Sequence, residues 1–157
     1  EGEKLLSQYD IGYKWKKNKK EGTWDKGKLK DKEAPQYLFI ERCIHLLKPG
    51  GKMGIVLPDG IFGNDQLGYI RNIISDNCQI VAVVDVPKET FMPHTSTKTS
   101  ILFVKKLAKT ATKDYPVFMA VAEKCGHDRR GNVLEEEDLS GIGPIFRNWL
   151  KENNVTF

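Results

Sequence analysis

At 157 residues, 39% hydrophobic and 29% charged, the chain is long enough for one domain with a real core, and no run approaches the ~18 apolar residues of a membrane span, so no membrane partner is expected. Three widely spaced cysteines, Cys43, Cys78 and Cys125, suggest no disulfide framework, and the charged first residues, Glu1 to Lys4, lack the apolar core of a signal peptide; a reducing, cytoplasmic setting is expected. Net charge is +4 but uneven: Lys14 to Lys32 holds nine lysines against Glu21, Asp25 and Asp31, a local +6, which leaves about −2 elsewhere, with an acidic run at Glu135 to Asp138.

Residues 1–32 have poor periodicity, broken by Gly12, Gly22 and Gly27, and are expected to form a basic loop segment. Tyr13, Trp15 and Trp24 sit among its lysines. Such rings either stack on nucleic-acid bases while the ammonium groups meet phosphates, or fold back from a surface loop onto the domain. Pro35 suits the first turn of a helix, and Tyr37, Leu38, Ile40, Ile44 and Leu47 follow at helical spacing up to Lys48 and Pro49-Gly50-Gly51. Met53 to Leu57 reads as a short buried strand, stopped by Pro58-Asp59-Gly60. The loop opening there lies at a strand's carboxyl end, where open α/β sheets bind ligands.

Gly63-Asn64-Asp65 then caps a second helix, with Leu67, Ile70 and Ile74 on one face and Asp76-Asn77 at its end. Ile80 to Val84 reads as a strand covered on both faces, and Thr99 to Val104 as a third strand. The fourteen residues from Asp85 to Lys98 show no helical period, so the link is expected to be hairpin-like and not a parallel crossover. Beyond Leu107 come a polar connector (Lys109 to Asp114), a strand (Val117 to Ala122), a charged turn (Gly126 to Gly131) and a short helix (Pro144 to Leu150). Residues 33–107 are thus an α/β core, and 108–157 a small carboxyl-terminal extension.

Recognisable chemistry is sparse. Gly50-Gly51-Lys52-Met53-Gly54 precedes its strand and makes a turn, not a phosphate cradle, and Gly141-Ile142-Gly143 has no strand before it. Cys125-Gly126-His127-Asp128 lacks the further ligands of a zinc site, so no metal is expected. His45 and His94 read as surface or hydrogen-bonded residues. The loop Glu89 to Lys98 carries Phe91 among polar residues. The ring is either tucked under the loop as an anchor or displayed toward a ligand.

Several ordered blocks now combine. A helix followed by Leu46-Leu47-Lys48-Pro49-Gly50-Gly51-Lys52-Met53-Gly54-Ile55-Val56-Leu57-Pro58, then Phe62-Gly63 and Ile70-Arg71, resembles adenine-specific DNA methyltransferases. So do Val83-Val84-Asp85-Val86-Pro87, Phe91 and Thr99-Ser100-Ile101-Leu102-Phe103-Val104, with the modification subunit of type I restriction–modification systems the nearest likeness. The resemblance covers residues 33–107, and Tyr115 to Met119 through Gly126 to Gly131 resembles the segment that follows the catalytic core there. It implies a partial S-adenosylmethionine-dependent methyltransferase (Rossmann-like) sheet: its last three strands with flanking helices, beginning just after the family's catalytic Asn/Asp-Pro-Pro-aromatic motif.

Neither that motif nor the family's glycine-rich cofactor motif occurs here, so the resemblance implies that S-adenosylmethionine is held mainly by residues absent from this chain, that no catalytic residue lies in it, and that it is inactive alone. The activity implied for the whole protein is transfer of a methyl group to the exocyclic amino nitrogen of adenine in DNA after base flipping. Phe91 would stack on the flipped base, Pro58, Asp59 and Phe62 would form a pocket wall, and Lys14, Lys16, Lys17, Lys19 and Lys20 would meet DNA phosphates. Implied partners are DNA and the specificity and restriction subunits of the same system, the former reading the DNA sequence. Cut from its sheet, the strand at Met53 to Leu57 would expose an edge and promote self-association. The competing readings are a non-catalytic DNA-binding or assembly scaffold, and an RNA or protein methyltransferase of the same fold.

Overall fold

The computed structural model describes residues 2–108 and 114–157. A short helix, α1 (Gly2–Leu6), and a 3-10 turn at Asp10–Gly12 lead into an antiparallel hairpin of β1 (Tyr13–Lys17) and β2 (Trp24–Leu29). The loop expected over residues 1–32 is therefore corrected to ordered structure. Lysines at alternate positions hid a two-residue period: Tyr13 and Trp15 turn inward and are half-buried, while Lys14 and Lys16 turn outward and are exposed. The Trp15 ring stacks on Tyr69 at 6.0 Å, and Trp24 meets Tyr69 edge-on at 5.9 Å. A Cβ on Gly68 would stand 2.7 Å from the Trp24 ring, so the close approach requires glycine there. Of the two readings of these tryptophans, packing onto the domain is the one observed.

The next helix, α2 (Pro35–Leu46), places proline in its first turn and buries Ile40 and Ile44 completely. Each buried isoleucine contributes about 1.5–3 kcal/mol. Gly50 takes φ +76° in the turn that follows. β3 (Lys52–Pro58) runs into a single helical turn, α3 (Gly60–Gly63). Asn64 Oδ1 accepts from the Gln66 N–H at 2.8 Å and caps the 3-10 turn before α4 (Gly68–Asn77), which buries Ile70, Ile73 and Ile74. β4 (Cys78–Asp85) and β5 (Thr99–Lys106) are antiparallel, so the link between them is the hairpin-like excursion expected.

With β6 (Phe118–Val121) these strands form one sheet in the order β3-β5-β4-β6. β5 is antiparallel to both neighbours, and β6 is parallel to β4. This mixed α/β sheet is the partial Rossmann-like architecture expected, with β6, from the residues read as an extension, adding a fourth strand to the three expected. β3 lies at its edge and is only half-buried, a correction to the buried strand expected. Leu57 joins the core with Met53 and Ile55 against it, whereas Val56 on the other face is 46% exposed.

After β6 a second hairpin, β7 (Cys125–His127) and β8 (Val133–Glu137), surrounds the charged turn, and α5 (Leu139–Glu152) closes the chain. α5 is longer than the Pro144 to Leu150 helix expected, because Pro144 lies inside the helix and does not open it. Its Phe146 and Trp149 pack with Phe103, Phe118 and Phe157, ring centroids 5.1–6.3 Å apart, against the sheet face opposite the isoleucine core. The connector expected at Lys109 to Asp114 lies, except for Asp114, outside the described residues. Among the described residues no helix is long and apolar enough to cross a membrane.

Candidate functional site

β3, β4 and β6 all end at one edge of the sheet, where β5 begins. Four polar groups tie this rim together. The Ser100 hydroxyl donates to Asp59 Oδ1 at 3.0 Å and lies 3.4 Å from Asp85 Oδ1. One proton serves one carboxylate at a time, and Asp59 is the nearer. Lys98 Nζ lies 2.6 Å from Asp85 Oδ1 and donates to the Val86 carbonyl at 2.5 Å. The Asp59 N–H donates to the Lys98 carbonyl at 3.1 Å, so both loops leaving the rim start from fixed points.

Of the expected pocket-wall residues, Pro58 and Asp59 stand on this rim, half-buried, while Phe62 lies on α3 and packs against the core. Phe91 sits at the end of a 3-10 turn, Lys88–Phe91, in the loop that leaves the same rim from β4. It is 38% exposed. The ring is thus not tucked wholly beneath its loop. His94 is exposed in that loop, and His45 stacks on Tyr9 at 6.0 Å with Nε2 3.4 Å from Glu41 Oε1.

Lys14, Lys16, Lys17, Lys19 and Lys20 are all exposed, along β1 and the turn after it. Among the described residues none of their ammonium groups has a hydrogen-bond or ion-pair partner, in contrast with two neighbours. Lys26 pairs with Asp10 at 2.5 Å and covers the Tyr13 ring at 3.8 Å. Lys30 is held by Glu33, the Ile11 carbonyl and the Tyr69 hydroxyl. Burial alone would lower the Lys30 pKa, but Glu33 and Tyr69 outweigh it and raise the value above its ordinary one. Two lysines therefore fasten the hairpin, and among the described residues Lys28 and Lys32, also exposed, share the lack of a side-chain partner with these five. An open hollow of about 470 Å³, lined by Trp15, Lys16, Lys17, Trp24, Asp65 and Gln66, adjoins this basic surface.

Two fastenings escaped the sequence. Glu41, 3% exposed within α2, accepts from the Asp10 N–H at 2.8 Å and the Ile11 N–H at 2.9 Å, anchoring the segment that enters β1. A charged residue on a helix otherwise read for its apolar stripe carries no sequence signal for such a role. In the Cys125-Gly126-His127-Asp128 run, His127 Nε2 stands 3.3 Å from the Thr90 carbonyl and Nδ1 3.0 Å from the Asp128 carbonyl. The Asp128 carboxylate accepts from the backbone N–H groups of Arg130 and Asn132 and from the Asn132 side chain. Among the described residues no three His, Cys, Asp or Glu side chains converge as metal ligands.

Known proteins resemble this chain in sequence and in fold. The chain is 36% identical over 70 residues to the Type I restriction enzyme EcoEI methylase subunit of Escherichia coli, across 44% of this chain and 14% of that protein. It spans about a seventh of the length of the curated relatives it matches. A structure from Listeria monocytogenes, assigned to class I S-adenosylmethionine-dependent methyltransferases, superposes with TM-score 0.56 at 21% identity, over 77% of this chain and 35% of that one. The type I restriction–modification methyltransferase subunit of Streptococcus thermophilus superposes with TM-score 0.53 at 22% identity, over 78% of this chain and 26% of that one. At such identities the likeness is one of fold. The modification-subunit resemblance drawn from the motifs thus finds both sequence relatives and structural neighbours, and since the N-6 DNA Methylase pattern matches residues 7–157, the chain belongs to that family.

Proposed function

We propose that this chain is part of the catalytic domain of a DNA methyltransferase that transfers a methyl group from S-adenosylmethionine to the exocyclic amino nitrogen of adenine. The protein would work within a type I restriction–modification system, beside specificity and restriction subunits. The observation that carries this reading is the half-exposed Phe91 on a fixed strand-end rim, in a chain of the N-6 DNA Methylase family. An adenine amino group inside a duplex is out of reach of a methyl donor, so the base must be extruded at a cost of a few kcal/mol. Stacking on one aromatic ring returns ~1–3 kcal/mol. Phe91 is the residue that supplies that ring. Pro58 and Asp59 line the rim beside it, with Phe62 behind them, and Lys14, Lys16, Lys17, Lys19 and Lys20 meet the phosphates of the flanking duplex.

The described residues do not fit S-adenosylmethionine. Both rim carboxylates are engaged by Ser100 and Lys98, and neither large hollow joins an apolar slot to a free rim carboxylate. In this reading the cofactor is held elsewhere in the longer protein, and this chain alone does not methylate DNA. Incubating the full-length protein with labelled S-adenosylmethionine and DNA should place label on adenine N6; label on RNA or protein, or none, would overturn the assignment. Phe91→Ala should lower methylation ten- to a hundredfold, about 1.4 kcal/mol per factor of ten, and wild-type turnover by that variant would end the stacking role.

The open edge of β3 supports a further expectation, that the isolated chain self-associates through strand pairing. Light scattering at high concentration would refute it by giving a monomer mass.

A further inference from the structure

The loop that carries Phe91 is held from outside at the two residues just before the ring. Before Phe91, the Thr90 carbonyl lies 3.3 Å from His127 Nε2, and the Glu89 carboxylate accepts from Arg129 Nε at 3.1 Å. Both partners belong to the β7–β8 hairpin. We propose that this hairpin is the positioning device of the loop, with His127 and Arg129 as positioning residues that fix where the Phe91 ring stands. The proposal rests on the base-stacking reading of Phe91 for its purpose, though not for its geometry.

The hairpin is built to be stiff. Asp128 accepts three hydrogen bonds of 2.8–2.9 Å from Arg130 and Asn132, and Gly131 takes φ +87° to close the turn. At its base the Asp138 carboxylate accepts from the N–H groups of Glu123 and Lys124 at 2.8 and 2.9 Å, which ties the hairpin to the end of β6. The loop makes short-range bonds of its own: Thr90 N–H donates to the Pro87 carbonyl, Met92 N–H to that of Glu89, Thr95 N–H to that of Phe91 and Thr97 N–H to the Thr95 hydroxyl, while Val86 N–H donates to the Thr99 carbonyl at its root. None of these bonds within the loop reaches outside it, so its placement on the body depends on outside contacts. Between loop and hairpin lies an open hollow of about 360 Å³, lined by Pro87, Glu89, Cys125, His127, Leu134 and Glu136. The two therefore do not pack flush, and the join is carried by Arg129 donating to Glu89 and by His127 donating to the Thr90 carbonyl in the tautomer that carries its proton on Nε2. A stacking ring returns its energy in the transition state only if its placement is ordered beforehand.

The test uses hydrogen exchange and methylation kinetics on the full-length protein. His127→Ala and Arg129→Glu should each speed amide exchange over residues 88–96 about three- to tenfold while leaving β3 unchanged. Both should lower kcat several-fold with KM for DNA within about twofold, the mark of a misplaced group and not of weakened affinity. Arg129 is 78% exposed by side chain, so its replacement does not threaten folding. The reciprocal pair Glu89→Arg with Arg129→Glu should restore slow exchange. Unchanged exchange in the single variants, or a reciprocal pair as loose as either single, overturns the positioning role whatever methylation does. Faster exchange with wild-type methylation supports the brace and instead removes Phe91 from the base.

Discussion

Glu41 and Asp138 do the same job in different surroundings. Each carboxylate accepts from the backbone N–H groups of two consecutive residues, Asp10 and Ile11 for Glu41, Glu123 and Lys124 for Asp138. Each thereby anchors a hairpin to the α/β body. Glu41 is 3% exposed and works inside the core, whereas Asp138 bonds at the surface. The first hairpin continues that theme with Trp15 and Trp24 packed on Tyr69, while every residue of β8 is exposed and the second is held by polar bonds alone at its tip. The same carboxylate chemistry is worth different amounts in the two places, because water competes for the N–H groups at one and not at the other.

The largest effect should come from setting the two clamps against each other. Glu41→Ala leaves the Ile11 N–H without its carboxylate in a buried site and the Asp10 N–H in a partly buried one, at roughly 1.5–3 kcal/mol for the buried charged hydrogen bond and less for the other, so about 3 kcal/mol in all. Asp138→Ala lets water take over, and should cost about 1 kcal/mol or less. Urea midpoints of the two variants measured side by side decide the matter. Equal losses would mean that burial is not what separates the hairpins.

A smaller effect tests what the first hairpin is fastened for. Lys26 and Lys30 hold it down, while Lys14, Lys16, Lys17, Lys19 and Lys20, partnerless among the described residues, are exposed along β1 and its turn. Replacing Lys16, Lys17, Lys19 and Lys20 by Gln should flatten the dependence of DNA affinity on salt by up to about 0.9 in log–log slope for each phosphate no longer neutralised. The fold should be unaffected, since none of the four ammonium groups has a partner among the described residues. An unchanged slope would return these lysines to an ordinary solvated face.

The sequence made the central sheet legible because its strands and helices carry their own periods. Ile40 and Ile44, Ile70 and Ile74, and the Val-rich β4 stand where their spacing puts them. The link from Asp85 to Lys98 followed from its length and lack of helical period, and the antiparallel pairing of β4 and β5 followed from that. The first hairpin was hidden because its outward residues are nearly all lysine, so charge masked the alternation that Tyr13 and Trp15 keep. β7 and β8 were hidden for a different reason: β7 has only three residues, all half-buried, and β8 is exposed throughout, so neither has an apolar face to write a period of two. Phe91 could be singled out as an aromatic in a polar loop. Its support from His127 and Arg129 could not, since a bond across about forty residues leaves no local pattern.

The smallest effect is a pH dependence that should separate the two hairpins at acid pH. Both lose a raised group in alkali (Lys30 and Tyr69 in the first, Lys124, raised chiefly by Glu136, in the second), but only the second is also fastened by lowered carboxyls. In the first, the Lys30 ammonium is opposed by burial but favoured more strongly by Glu33 and Tyr69, and its pKa is raised. The Tyr69 phenol is raised too, chiefly by burial, against the pull of Lys30. Groups with raised values stabilise below their ordinary pKa and lose that contribution as pH rises through the raised one, so this hairpin should loosen only in strong alkali, above about pH 10. In the second, Asp128 is lowered by the Asn132 side chain and nearby N–H groups, Glu137 by Ser140, and Glu89 by its own N–H and then Arg129. Lowered carboxyls stabilise above their ordinary range and lose that contribution as pH falls through the depressed values, so loosening should set in below about pH 4. Fluorotryptophan signals from Trp15 and Trp24 would follow the first hairpin, and the Gly126 and Gly131 amide resonances the second. If both report one shared midpoint in acid, the hairpins are fastened by the body of the protein and not by the groups named here.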